Sequence, residues 1–224
     1  MNSRIVRNII ESQNDNRIAI TSESSSPLKF VDLKSLIERI SKQLSGNGIN
    51  NKDRAAIVLP NGPYMATSFL AISSYMSAAP LNPNYKSEEF EFYLEDLKPK
   101  IVIVEKNSKN PVVEVANKLK IPVCEIKSDG NNLSGDFNLF EKSSNYVLPG
   151  EDHEALVLHT SGTTSRPKIV PLTNKNIFSS ADNISKSLNL TDKDHCLNIM
   201  PISYTWLNCS SCSIYEGRGI CMCK

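Results

Sequence analysis

A chain of 224 residues that is 40% apolar and 22% charged has the composition of a soluble globular protein and the length to bury a core. Its 25 Lys and Arg offset 24 Asp and Glu, a formal charge of +1, so no field of one sign exists to attract nucleic acid or an anionic membrane surface. No apolar run approaches membrane-spanning length and the first residues lack the apolar centre of a secretory signal, so no membrane span and a cytoplasmic location are expected.

Ser3 to Gln13 has helical periodicity. Short strands are predicted at Ile18 to Thr21 and Lys29 to Val31, around a serine-rich turn. Asp32 has the chemistry of an N-cap for a helix that runs to about Gly46, with Leu33, Leu36, Ile37, Ile40 and Leu44 on its buried stripe. Ala55 to Leu59 is a continuous apolar run, as in a strand covered on both faces. A helix follows from about Tyr64 to Ser77, and another, capped by Ser87, to Leu97. Ile101 to Val104 and Val123 to Ile126 are further buried strands, separated by a helix over Pro111 to Lys120. Lys127 to Tyr146 is polar and reads as a crossing loop. Leu156 to His159 is a strand, Thr173 caps a helix to about Leu190, and Cys196 to Met200 is a last strand. Helices alternating with buried strands predict an α/β fold with a doubly wound, mostly parallel sheet.

The chemistry concentrates at His159 to Lys168, His-Thr-Ser-Gly-Thr-Thr-Ser-Arg-Pro-Lys, between apolar runs at Ala155 to Leu158 and Ile169 to Leu172. Five hydroxyl side chains surround Gly162, and Pro167 separates Arg166 from Lys168. Glycine lets the backbone approach a ligand, so that successive amides converge on an oxyanion. The hydroxyls are further donors, and a lysine brings a point charge on a flexible stem. This pattern suits a phosphate, although it is not the common phosphate loop with Lys-Ser or Lys-Thr after its second glycine. His159 adjoins the loop, where either shaping of a nucleotide pocket or plain packing fits it. The three histidines, His153, His159 and His195, are too dispersed to indicate a metal site.

The run from His159 to Lys168 resembles the signature phosphate loop of the adenylate-forming acyl-CoA ligases, the superfamily of AMP-dependent synthetases and ligases. Asp53 to Pro63, Pro80 to Tyr85, and the segment with Glu88, Glu89, Phe90, Phe92, Tyr93 and Leu94 are similar to earlier parts of those enzymes. Ser165 and Val170 to Thr173 resemble the oxalate–CoA ligase branch. The resemblance implies that residues 1–201 are the N-terminal part of an AMP-binding (adenylation) domain. It implies ATP-dependent activation of a small-molecule carboxylate, with ATP, Mg2+ and coenzyme A as co-substrates, and a role such as fatty acid metabolism. Thr160, Ser161, Gly162, Thr163, Thr164 and Lys168 would contact the β- and γ-phosphates, and none would be a nucleophile or general base. The family's later elements, an aromatic-Gly-x-Thr-Glu segment, a ribose-binding Asp and a lid with a catalytic lysine, have no counterpart in these residues. A truncated chain without ligase turnover is therefore expected. A non-catalytic nucleotide-binding fragment is the alternative.

After Pro201 the character changes. Residues 202–224 hold Trp206 and four of the six cysteines, Cys209, Cys212, Cys221 and Cys223. One reading is a zinc-binding tail on a structural protein, although the second cysteine pair is spaced too tightly for a usual knuckle. The other is an out-of-frame tail: read one base out of phase, residues 202–224 have codon choices that yield a family-like segment. The out-of-frame reading fits better, because the single codons of Trp206 and Met222 dictate a glycine and a cysteine where the family pattern wants them. The nature of the acid and the oligomeric state are not legible.

Overall fold

The computed structural model describes residues 4–23, 25–127, 136–138, 142–160, 167–191, 194–198 and 220–222. The apolar runs at β3 (Arg54–Val58) and β5 (Ile101–Glu105) pair in parallel at the centre of a seven-stranded sheet. Outward from them lie β4 (Ser77–Pro80), β8 (Glu154–Thr160) and β9 (Lys168–Thr173) on one side, and β6 (Val123–Lys127) and β7 (Asp136–Asn138) on the other. The order is β7-β6-β5-β3-β4-β8-β9. The five inner strands are parallel, and only the two edge strands run antiparallel.

Both faces of this sheet are covered, which explains the unbroken apolar runs. Ala55, Ile57, Ile101 and Ile103 point to one layer, made by α1 (Val6–Glu11), α2 (Phe30–Gly46) and α3 (Pro63–Ser73). Ala56, Val58, Val102 and Val104 point to the other, made by α4 (Ser87–Leu97) and α5 (Pro111–Lys118). Phe30, Ile37, Ile40 and Phe69 are wholly buried on the first side, and Phe90 on the second. Each such side chain contributes about 1.5–3 kcal/mol by leaving water. The doubly wound α/β expectation is met.

A second, four-stranded sheet has the order β10-β11-β1-β2, from β1 (Ile18–Ser22), β2 (Ser25–Lys29), β10 (Cys196–Asn198) and β11 (Ile220–Met222). β11 lies in the segment read as an aberrant tail, and it pairs in parallel with both β1 and β10. Residues 201–219, with Cys209 and Cys212, and Cys223 lie outside the described residues. The zinc-site reading therefore falls mostly outside them.

Several local expectations change. Lys29 to Val31 is not a strand: Lys29 ends β2 and Phe30 opens α2. Asp32 sits in the first turn rather than at the cap. The first helix amides need no capping side chain, because Phe30 N donates to Arg17 O (2.9 Å) and Val31 N to Asp15 O (3.2 Å). The helix from Tyr64 stops at Ser73, and Ser77–Pro80 forms a fully buried strand that sequence reasoning missed. Lys86, not Ser87, holds the cap position of α4, and its amide donates to Glu89 Oε2 (2.9 Å). The polar crossing segment contains β7, anchored by buried Phe137. Helix α6 (Asn174–Ser187) begins after Thr173 as expected.

Candidate functional site

All parallel strands of an open α/β sheet end at one edge, and ligands bind outside that edge. β8 ends there, at Thr160. β8 and β9 pair as an antiparallel ladder whose last two rungs are His159 with Ile169 and Thr160 with Lys168. Thr160 and Lys168, both exposed, therefore stand opposite each other where the hairpin opens. Residues 161–166, which follow Thr160 in sequence, lie outside the described residues, and with them Ser161, Gly162, Thr163 and Thr164. Two of the six sequence-predicted phosphate contacts are thus placed together by the register.

The far end of the hairpin is firmly held. Thr173 Oγ1 accepts from Asn176 N (3.2 Å) and Asn176 Oδ1 accepts from Thr173 N (3.0 Å), a reciprocal cap at the start of α6. Asn174 is 1% exposed. Its Oδ1 accepts from Val6 N (3.0 Å), and its Nδ2 donates to Gly150 O (3.2 Å). One buried amide thus joins α1, the turn before β8 and α6. Nothing in the sequence marked Asn174 beyond its place after a cap.

At the start of β8, Glu154 receives two bonds from Arg54: Nε to Oε1 (2.7 Å) and Nη2 to Oε2 (2.8 Å). The carboxylate raises the basicity of Arg54, and burial opposes it. Near the other end, the His159 side chain is only 5% exposed and its Nε2 lies 3.1 Å from Asp96 Oδ2. A carboxylate only accepts, so the Nε2 proton belongs to this contact. The imidazole lies edge-on to Tyr93 at 4.6 Å, and Tyr93 stacks on Tyr85 at 4.7 Å. Burial depresses the basicity of His159, and Asp96 partly offsets it.

A crevice of about 440 Å³ opens at the tips of β3 and β5, lined by Leu59 to Tyr64 and Glu105. Here the connections leaving two neighbouring strands, β3 and β5, run to opposite faces of the sheet, the usual place for a ligand in such folds. A larger cleft, about 540 Å³, is bordered by Asp53, Arg54, Lys98 and Glu154. It opens where the strands begin and holds no residue of the hairpin tip, so its size does not make it the phosphate site. His153 is occupied locally, its Nδ1 accepting from Gly150 N (2.8 Å). Among the described residues, no cluster of three His, Cys, Asp or Glu side chains is arranged to hold a metal. Among them too, no helix is long and apolar enough to cross a membrane.

A family model described as AMP-binding enzyme matches residues 8–224. An oxalate–CoA ligase of Arabidopsis thaliana is 37% identical over 207 residues, covering 89% of this chain and 40% of the relative. An oxalate–CoA ligase of Saccharomyces cerevisiae is 30% identical over 224 residues, covering 85% of this chain and 41% of the relative. The crystal structure of apo MatB from Rhodopseudomonas palustris has a TM-score of 0.84 at 20% identity, covering 99% of this chain and 45% of that one. Its ATP-bound form gives 0.81 at 21% identity, covering 98% and 45%. At that identity the likeness is one of fold. The chain spans about 40% of the length of the curated relatives it matches.

Proposed function

The chain belongs to the family of AMP-binding enzymes, and from that premise we propose that the β8–β9 hairpin is the phosphate grip of an ATP-dependent acid–thiol ligase. The observation that carries this reading is the Thr160–Lys168 rung, which sets a threonine opposite a lysine at the two ends of a sequence rich in hydroxyls. Thr160, Ser161, Gly162, Thr163, Thr164 and Lys168 hold the β- and γ-phosphates of ATP. A carboxylate oxygen bonds to the α-phosphorus as the bond to pyrophosphate breaks, giving an acyl-adenylate. The thiol of coenzyme A then bonds to the acyl carbon, its proton is lost, and AMP leaves. The hairpin's part is electrostatic: it neutralises charge on the departing pyrophosphate and keeps it in line. Magnesium, when bound, shares that neutralisation through the phosphate oxygens.

The relatives named as oxalate–CoA ligases favour a small carboxylic acid, with oxalate first to be tried. The 224 residues alone are proposed to bind ATP weakly and not to turn over. A few hydrogen bonds to charged groups, about 1.5–3 kcal/mol each, set against the lost freedom of the ligand, leave a millimolar complex, about 4 kcal/mol. ATP is titrated against wild type and Lys168→Ala, and ATP–pyrophosphate exchange is measured with a panel of carboxylates. Affinity should fall about tenfold in the variant, the loss of roughly one charged hydrogen bond. Equal affinities would remove the hairpin from the account. Robust exchange by wild type would refute the proposed lack of turnover.

A further inference from the structure

We propose that His159 is a positioning residue, whose imidazole fastens the strand that launches the phosphate loop to α4. The inference rests on the hairpin being the nucleotide grip. β8 pairs with β4 through one rung, Ala78 with Leu156. Beyond that rung, the ladder of Val157 to Thr160 among the described residues is on the β9 side. His159 lies on this stretch, next to Thr160 and one rung inside the Thr160–Lys168 pair. The inner side of the strand is held there by side chains, and His159 supplies a directional one.

Three observations separate this from simple packing. The ring is nearly buried, yet its Nε2 is 3.1 Å from a carboxylate, that of Asp96 on α4. An aliphatic side chain would fill the same space without any such bond. The imidazole is also held edge-on by Tyr93, so its rotation is limited by two contacts of different kinds. Tyr93 in turn stacks on Tyr85, in the turn after β4, with an interplanar angle of 14°. A continuous series of rings therefore links the end of β8, through α4, to the turn after β4. Misplacement of a phosphate-contacting strand by even a fraction of an ångström weakens every bond made from it.

The test uses the 224-residue chain with His159→Phe, which keeps a ring but has no donor, and His159→Gln, which restores an N–H donor. Asp96→Ala removes the acceptor. ATP affinity in the presence of Mg2+ and amide hydrogen exchange without nucleotide are both measured. His159→Phe and Asp96→Ala should each weaken ATP binding about tenfold and raise exchange in peptides spanning residues 155–173. Peptides from α2 and α3 should exchange as in wild type, and His159→Gln should recover affinity to within about threefold. Unchanged affinity and unchanged local exchange would overturn the proposal, as would exchange raised equally across the whole chain. If wild type and Lys168→Ala bind ATP alike, the nucleotide reading fails separately. Exchange then decides alone: a rise confined to residues 155–173 supports the anchoring, and no local rise overturns it.

Discussion

The pair Arg54–Glu154 crosses a strand. Arg54 opens β3, Glu154 opens β8, and β4 lies between them. Since β4 and β8 share a single rung, this ion pair adds a polar tie between the sheet's centre and the β8–β9 hairpin, beside the packing of Ala155 and Leu156. The side chains are 28% and 23% exposed. A fully exposed pair contributes about 0–1 kcal/mol, whereas removing one partner of a buried pair costs about 3–5 kcal/mol. A two-bonded pair with three quarters of its surface covered lies between, so Glu154→Ala should cost about 2 kcal/mol. Part of that cost is the Arg54 cation left facing only the Leu97 carbonyl, 3.4 Å from Nη1, and the charge of Asp96. Urea unfolding followed by far-UV circular dichroism measures the loss, and a cycle with Arg54→Met isolates the coupling. The double variant Arg54→Met with Glu154→Leu should regain most of the stability, because neither charge is then stranded. A cost below about 0.5 kcal/mol, with no coupling, would place the pair among ordinary surface contacts. The tie between β3 and β8 would then have to come from packing alone.

Three further outcomes follow from local geometry. Glu38 accepts from the Tyr146 hydroxyl and from Arg7 Nη2 (2.5 Å), and these bonds, the tyrosine's first, hold its carboxyl down to about 2 against the opposing effect of burial. A depressed carboxyl adds stability above its unfolded value near 4.5 and loses it as the pH falls toward 2; melting temperatures of Glu38→Gln should therefore fall less steeply than wild type across that window, and parallel curves would refute the assignment. Gly46 packs so closely on the segment after β7 that an added Cβ would lie 2.7 Å from Lys142 O and from Ser143 Cα. Gly46→Ala should cost about 1–3 kcal/mol in urea unfolding, as overpacking against backbone does, and an unchanged midpoint would show that the segment gives way freely. Cys124 is buried and its thiol is pushed up to about 12, chiefly by burial; at pH 8 it should react with a disulfide reagent only as fast as the chain opens, and immediate modification of the native protein at this residue would contradict its burial.

What could be read beforehand depended on how far apart the interacting groups lie along the chain. The runs at β3 and β5 announced a twice-covered strand, because consecutive residues point to opposite faces and both faces are apolar. β4 escaped notice for the opposite reason. Its Ser-Ala-Ala-Pro has little strand propensity, yet small side chains are what let this short strand lie wholly buried beside β3. Pro80, at the last position of β4, costs no interior ladder bond there, and the next amide, Leu81 N, returns to Ile57 O (2.9 Å).

At the candidate site the same distinction separates Lys168 from His159. Lys168 can be proposed from sequence because its hydroxyl and glycine neighbours are adjacent along the chain and share one chemistry. Asp96 is 63 residues from His159, and the two meet only because α4 crosses the sheet on the way from β4 to β5. No periodicity encodes such a meeting; it is a product of topology. A local motif can therefore specify which groups would touch a phosphate, while the side chains that hold those groups still are supplied by distant elements. If that division holds, swapping the hairpin residues 159–168 into a sheet without an α4 carboxylate should transfer the donors but not the affinity.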